Sequence, residues 1–517
     1  MINKKSLTRR SFLSTSAISA ASVIVAGCDG GRPGAGQGVI DYPFTLGVAS
    51  GDPISDGVVL WTRLAPKPFE PVDPAAPPNR VGWEISEDRR FWRIVRTGVE
   101  TATPQSAYAV HVEVGGLKPG QDYYYRFFVG DAVSPVGRTK TAPKIGAALD
   151  TLRFAVACCQ SYTQGFYAAY GDLAAQAPDL VLHVGDYIYE SPWTMPARRA
   201  PAPQALTLDD YRAFHAAAKT DRHLQAAHGA APWVSVWDDH EVVNDYRGDH
   251  TPFGTTREAY VARRRAAYQA YYEHMPLRRR ARPINGAMQL YQRSLFGDLV
   301  QFDMLDTRQY RDDHPCREED GATPYWVSCD VTDPSRSLLG DTQETWLARG
   351  FGIGRAKWNM LVQSTQLTPF QRVDEEGVTL TSSDRWDGYP AARDRVFDLI
   401  LDKAVTNPTL LGGDIHAFLG TSLVRADGGD PIANELVCAA ISSGGGGDER
   451  YQAETATYAS YGRPFFFENR RNGYLLCDLD HNALTAHARV VDNVLDPQSD
   501  TSTLTELVYK SGQIGLA

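Results

Sequence analysis

Between residues 42 and 143, apolar and polar positions alternate in short runs, as in Val81, Gly82, Trp83, Glu84 and Ile85 and again over 122–129. A period of two puts successive side chains on opposite faces of a strand. The stretch therefore predicts a small all-β sandwich over 41–145, with the Pro-rich piece 66–78 as a loop and 141–144 as the link out of it. Within it, Leu117, Lys118, Pro119 and Gly120 place a turn ahead of the Tyr-rich run from Asp122. That is the order of a tyrosine corner in two-sheet sandwiches.

The pattern changes after residue 151. Residues 152–157 form a short apolar run, 166–177 read as a helix, and 179–184 form a second apolar run that stops at Gly185 and Asp186. Strand, helix and strand in so few residues make a βαβ unit, whose functional groups gather where strands run out into loops. Further strands are expected at 233–237, 299–305, 358–363 and 409–411, and helices at 257–274, 342–350 and 391–405. Residues 473–490 alternate and read as closing strands. The second domain is placed at 150–500, with 501–517 as a C-terminal extension.

The chain has 517 residues, enough for two to four domains of ordinary size. Lys and Arg number 52 against 62 Asp and Glu, a net charge of −10, so the basic excess of a nucleic-acid binder is missing. No apolar run reaches the roughly 18 residues that cross a bilayer. Thr8, Arg9, Arg10, Ser11, Phe12, Leu13 and Ser14 resemble a twin-arginine export motif, so 1–27 read as a signal peptide addressed to the twin-arginine translocation machinery. Val25, Ala26, Gly27 and Cys28 resemble a lipobox, making Cys28 a candidate lipid anchor, and cleavage without lipid is the alternative. The Gly- and Pro-rich residues 28–40 read as a flexible tether. The expected destination is the periplasm or cell envelope. Cys316 with Cys329, and Cys438 with Cys477, could form disulfides there, a pairing that spacing alone does not fix.

Candidate chemistry sits at the ends of the predicted strands. Gly185, Asp186, Tyr187, Ile188, Tyr189 and Glu190 offer a carboxylate and, three residues on, a phenol, hard anionic oxygens that suit a highly charged cation. Cys159, just before Gln160, offers sulfur, with a buried free thiol as the ordinary alternative. Cys158 and Cys159 point to opposite faces of an extended strand, so only one can serve a given site. Trp237, Asp238, Asp239, His240, Glu241, Val242, Val243, Asn244 and Asp245 crowd polar groups that cannot all be buried unpartnered. Among these, Asn244 offers a carbonyl ligand, and His240 offers an imidazole to orient a ligand or touch a phosphate. Gly412, Gly413, Asp414, Ile415 and His416 project two ligand types from a strand end. A capping Asp, a packed Tyr or a polar surface turn would explain each motif singly.

Taken together, the four motifs resemble the PhoD-type alkaline phosphatase and phosphodiesterase family of the metallophosphoesterase superfamily, related to the purple acid phosphatases. The resemblance extends to Gly47, Val48, Ala49, Ser50, Gly51, Asp52 and Pro53, to Val59, Leu60, Trp61, Thr62 and Arg63, to 267–276, to 306–311 and to 339–367. It implies an α/β class fold, a four-layer αββα metallophosphoesterase core behind a fibronectin- or immunoglobulin-like sandwich. It also implies one Fe³⁺ and two Ca²⁺. Carried over residue by residue, iron would take Cys159, Asp186, Tyr189 and Asp414, with Asp186 bridging to calcium and Asn244 and His416 as further ligands. Cys159 rather than Cys158 is chosen because the family's cysteine directly precedes glutamine. Asp245 departs from the family, which commonly has a second Asn there. Arg308 is a candidate phosphate contact through its planar fork, or else a structural ion pair. The implied activity is hydrolysis of small phosphate monoesters and diesters by hydroxide formed at the metals, with an alkaline optimum and for phosphate scavenging. An iron–zinc or zinc enzyme of the purple acid type, and a non-catalytic surface-binding lipoprotein, are the competing readings.

Overall fold

A computed structural model describes residues 41–192, 196–252, 254–316, 324–425 and 428–517. The signal peptide, the tether and the Cys28 anchor read from 1–40 lie outside the described residues.

The strand read at 152–157 runs from Thr151 to Ala157 and lies at the middle of a nine-stranded sheet. It pairs in parallel with Leu180–Val184, which pairs in parallel with Pro232–Val236. Both of those strands are buried at every position. A strand covered on both faces has no polar side to show, hence the unbroken apolar runs in the sequence. All three strands deliver their following residues to one edge of the sheet.

The same sheet crosses both domain limits drawn from the sequence. On one flank Val48–Ile54 pairs in parallel with Pro232–Val236, and Gly57–Arg63 and Ala109–Val114 follow in antiparallel order. These three strands of the expected sandwich thus extend the central sheet. Their other face packs Val58, Leu60 and Val112 against Val81, Tyr125 and Phe127 of a smaller sheet built on Asn79–Ser86, Ile94–Ala102 and Asp122–Val129. The tyrosine corner is present: the Lys118 N–H donates to the Tyr123 hydroxyl at 2.9 Å. On the other flank, Gly473–Asp480, Ala483–Val491 and Thr501–Lys510 close the sheet. Residues 501–510, read as part of an extension, therefore form the edge strand, with Leu507 and Tyr509 turned into the core.

A second, seven-stranded sheet holds the parallel strands Val300–Met304, Trp358–Val362, Pro408–Gly412 and Gly428–Val437. The two sheets face each other, with Phe154 and Phe302 meeting edge-on at 5.3 Å. Helices Ala168–Ala175 and Arg222–Ala230 cover the outer face of the first sheet through Tyr170 and Leu224. Gly340–Gly350 and Pro390–Asp402 cover the second through Leu347 and Phe397. The architecture is the expected αββα sandwich with an N-terminal all-β part.

Helix Leu208–Lys219, capped by Thr207 and Asp210 in a reciprocal box, and helix Arg222–Ala230, capped by Asp221, escape the sequence reading. Their buried faces mix Tyr211, Phe214 and Leu224 with His, Ala, Arg212 and Lys219, so the apolar stripe is broken by polar and small residues. Cys316 and Cys329 are bonded, but Cys438 and Cys477 are free and buried. Cys438 lies against the Val156 carbonyl at 3.1 Å, whereas Cys477 belongs to the neighbouring strand of the other sheet. The expected second disulfide is not formed.

Beneath helix Leu208–Lys219, His215 is fully buried between Tyr187 at 5.9 Å and His274 at 5.0 Å, and neither ring nitrogen has a partner. Burial pushes its pKa down to about 3, with the Lys219 and Arg63 charges adding to the effect. The folded protein keeps this ring neutral while the unfolded chain protonates it below about 6.5, so the native state loses stability as pH falls through that value. We predict that H215F gains about 2 kcal/mol over wild type between pH 7 and pH 5. Urea unfolding of both proteins at the two pH values measures this, and a pH-independent difference would contradict it.

Candidate metal centre

Four strand ends meet at the same edge of the two sheets. Cys159 follows Thr151–Ala157, Asp186 follows Leu180–Val184, and Asp238, Asp239 and His240 follow Pro232–Val236. From the second sheet, Asp414 and His416 follow Pro408–Gly412. The chain turns sharply to aim these groups: φ is +54° at Cys159, +56° at Asp186, +66° at Asp414 and +55° at His416. Such left-handed conformations cost a side-chain-bearing residue of order 1–3 kcal/mol and persist only where the surroundings hold them.

At Asp186 the surroundings do so through one carboxylate. Glu241, fully buried, accepts from the N–H groups of Tyr187 at 2.6 Å, Asp186 at 3.1 Å and Asp238 at 2.9 Å, tying two ligand loops together. Gly185 is needed where they touch. Its φ is +112°, and an added Cβ would meet the Asp238 backbone nitrogen at 2.7 Å.

Two donor groups result, and they share Asp186. Cys159, Asp186 and His416 form one; Asp186, Asp239 and His240 form the other, with the ligand atoms of each group within 4.8 Å of one another. Tyr189 joins the first, its hydroxyl 2.9 Å from Asp186 Oδ2 and 3.0 Å from His416 Nε2. His416 is oriented by its other nitrogen, which lies 2.7 Å from the Gly444 carbonyl. Likewise His240 Nδ1 lies 2.7 Å from Glu190 Oε2. The second Asp186 oxygen, Oδ1, is buried with no hydrogen-bond partner among the described residues, as is Asp238 Oδ2. A thiol, a phenol, carboxylates and oriented imidazoles around an orphaned carboxylate oxygen fit a metal centre.

The charges agree. Burial pushes Asp186 well above the carboxylate range, with Asp239, Asp238 and Glu241 adding to the rise and His240 opposing it. Burial likewise takes Asp238 and Glu241 to about 7, and Asp245 reaches about 7 through burial and then the nearby Asp384 and Asp239. His240 moves the other way. Burial alone would depress it, but Asp239, Glu190 and Asp186 together hold it well above the usual imidazole range. This is an excess of buried negative charge that bound cations would offset, with ligand protons released as they bind.

The sequence-read residues are distributed unevenly. Cys159, Asp186, Tyr189 and His416 come together. Cys158 turns away, its Sγ 3.5 Å from the carbonyls of Cys438 and Ala439. His240, read as catalytic, stands among the donors. Asp414 lies outside both groups, its Oδ2 held by Thr365 Oγ1 at 2.9 Å and Arg385 Nε at 3.2 Å. Asn244 is exposed, and its backbone N–H donates to Glu190 Oε1 at 3.0 Å. Arg308 is corrected: it is 1% exposed and committed to Asp238, to Asp384 at 2.6 Å and to Asp239 at 3.6 Å. A guanidinium engaged by three carboxylates is a frame for the site and offers no fork to a substrate. Asp239, Glu190 and Glu241 were inside the sequence motifs but not singled out; the crowding of unpartnerable polar groups was their signal.

Residues 154–488 match the family model described as PhoD-like phosphatase, and residues 32–143 match that described as PhoD-like phosphatase, N-terminal domain. Alkaline phosphatase D of Bacillus subtilis (strain 168) is 43% identical over 484 residues, which cover 92% of this chain and 82% of that protein. A solved structure described as the structure of PhoD superposes with a TM-score of 0.86 at 41% identity, covering 93% of each chain.

Because Asp186 belongs to both donor groups and His416 to one, Asp186→Asn should deplete metal from both, and His416→Ala from one only. Elemental analysis of the purified variants measures this. Equal depletion by the two would refute the shared carboxylate.

Proposed function

Because this chain belongs to the PhoD-like phosphatase family, we propose that it is an exported, metal-dependent alkaline phosphatase that hydrolyses small phosphate monoesters and diesters, for phosphate scavenging, with one Fe³⁺ and two Ca²⁺. The observation that carries the metal reading is the pair of donor groups joined at Asp186. Iron is supported by the thiol of Cys159 and the phenol of Tyr189 beside Asp186, anionic donors suited to a ferric ion. Calcium is supported by the oxygen-bearing side, where Asp186 and Asp239 meet and Asn244 stands exposed nearby in sequence. Metals held there would supply positive charge to the phosphoryl oxygens and acidify water.

The chain's own groups then have defined tasks. Glu190 holds His240 in one orientation, and the Gly444 carbonyl holds His416. Arg308 and Arg311 converge on Asp384, whose carboxyl they keep well below its ordinary range against the effect of burial. Arg308 also pairs with Asp238 and so ties that acid to the same network. A phosphoserine route has no support. Ser161 Oγ is buried and lies 3.4 Å from Thr163 Oγ1, with no basic side chain hydrogen-bonded to it among the described residues.

Export through the twin-arginine machinery to the periplasm or cell envelope rests on the residues around Arg9 and Arg10, with Cys28 as the proposed membrane anchor. The Cys316–Cys329 disulfide suits an oxidising compartment. Among the described residues, no helix is long and apolar enough to cross a membrane.

The expected composition is about one iron and two calcium per chain, with p-nitrophenyl phosphate and bis-p-nitrophenyl phosphate turnover lost to a calcium chelator and restored by calcium. Zinc in place of iron with chelator-insensitive turnover would overturn the metal assignment and leave the phosphatase. Full metal occupancy without turnover of either ester would overturn the function.

A further inference from the structure

We infer that Arg385 is the guanidinium that receives the substrate's phosphoryl oxygens, the role sequence reading gave to Arg308. The inference rests on the phosphatase reading above. Two arginines beside the centre, Arg308 and Arg311, are buried and committed to carboxylates, although Arg308 Nη2 and Arg311 Nε have no hydrogen-bond partner among the described residues. Arg308 and Arg311 are each 1% exposed at the side chain and converge on Asp384, with Arg308 also meeting Asp238 and Asp239.

Arg385 differs in each respect. Its ion pair is to Asp414 alone, through Nε at 3.2 Å, and among the described residues Nη1 and Nη2 donate to no group. The side chain keeps 11% of its surface open, and the ring of Tyr325 lies 5.8 Å from its guanidinium carbon.

Its root is rigid. The backbone N–H of Arg385 donates to Ser382 Oγ at 3.3 Å, and the next residue, Trp386, is 1% exposed with its indole N–H on Gln363 Oε1 at 3.2 Å. Asp387 is pinned by Arg393 at 2.7 Å. The result is a guanidinium anchored at its base and oriented by Asp414 at one edge, with the opposite edge free.

A guanidinium presents its N–H groups in a planar fork matched to two oxygens of a carboxylate or phosphate. With Nε taken by Asp414, the remaining pair of nitrogens can engage two oxygens of one tetrahedral anion. Two nitrogens without acceptors leave hydrogen-bonding capacity that a phosphoryl group can fill. Asp414 is the link to the centre, since its charge reaches Cys159, Asp238 and His416. A phosphate monoester offers more free oxygens and more charge than a diester, so Arg385 should favour monoesters.

The competing role is positional: Arg385 could serve only to hold Asp414, as Thr365 does. The test uses the full metal-loaded chain as wild type, R385M, R385K and T365V. It reads metal content, calorimetric affinity for inorganic phosphate, and kcat and KM for the two nitrophenyl esters. R385M should retain metal and bind phosphate roughly 10- to 100-fold more weakly, the worth of a charge-assisted hydrogen bond. Its monoester KM should rise more than its diester KM, and R385K should recover only part, because an ammonium lacks the fork. T365V should leave phosphate affinity near wild type.

Unchanged phosphate affinity in R385M overturns the inference. So does loss of metal in R385M matching that in T365V, which would make Arg385 a positioning residue. If wild type turns over neither ester yet loses phosphate affinity on R385M, the phosphatase reading falls and the anion contact stands.

Discussion

Three backbone N–H groups from two loops converge on the single buried carboxylate of Glu241. Much of the centre depends on that convergence. The loops after Leu180–Val184 and Pro232–Val236 carry Asp186, Tyr189, Asp239 and His240, and each would otherwise have unpaired amides at its turn. One acid satisfies them together, so the ligand side chains need not bend back to cap their own backbone. Gly185 completes the arrangement by leaving no Cβ between the loops. The left-handed turn at Asp186 is held in this frame, and the Cys159 N–H joins it by donating to the Gly185 carbonyl at 3.1 Å. Such preorganisation moves the energetic cost of shaping the site from ligand binding to folding.

Around that frame the charges are sorted by partner. Asp238 meets Arg308, Asp384 meets Arg308 and Arg311, and Asp414 meets the more open Arg385. Asp186 and Asp239 meet no arginine closer than the 3.6 Å contact of Arg308 with Asp239. The acids nearest the guanidiniums keep the frame rigid, and those left short of positive charge are the ones gathered with the imidazoles and the thiol. His240, drawn toward its protonated form by three surrounding acids, supplies part of the missing charge.

Much of this was legible in the sequence, and the limits have physical causes. The four strand-end motifs could be read because each is an apolar run that stops abruptly at acids, thiol or imidazole. Which member of a pair faces the site was harder. Cys158 and Cys159, and likewise Asp238 and Asp239, are sequence neighbours; only the contacts of Cys158 with the Cys438 and Ala439 carbonyls set the thiols apart, while Arg308 meets both acids, Asp239 at 3.6 Å. Arg308 looked available because its partners Asp238 and Asp384 are 70 and 76 residues away in sequence. The helices at 208–219 and 222–230 break their apolar stripe with buried His, Ala, Arg212 and Lys219. The free Cys438 and Cys477 belong to different sheets, a separation that spacing does not report.

The nine-stranded sheet also constrains the order of events in making the protein. Val48–Ile54 pairs on one side with Gly57–Arg63 but has its other neighbour at Pro232–Val236, and Thr151–Ala157 lies between Leu180–Val184 and Gly473–Asp480. One edge of the first strands therefore waits for a partner synthesised well over a hundred residues later, and the sheet gains its last edge only when Thr501–Lys510 arrives. Contacts of such sequence separation form slowly and late. An emerging chain holds unpaired strand edges until nearly all of it is made, a liability to aggregation that a chaperone would have to cover. The metal loops hang from three parallel strands of this sheet and from Pro408–Gly412 of the other, so the donor group of Cys159, Asp186 and His416 is complete only once the two sheets have met.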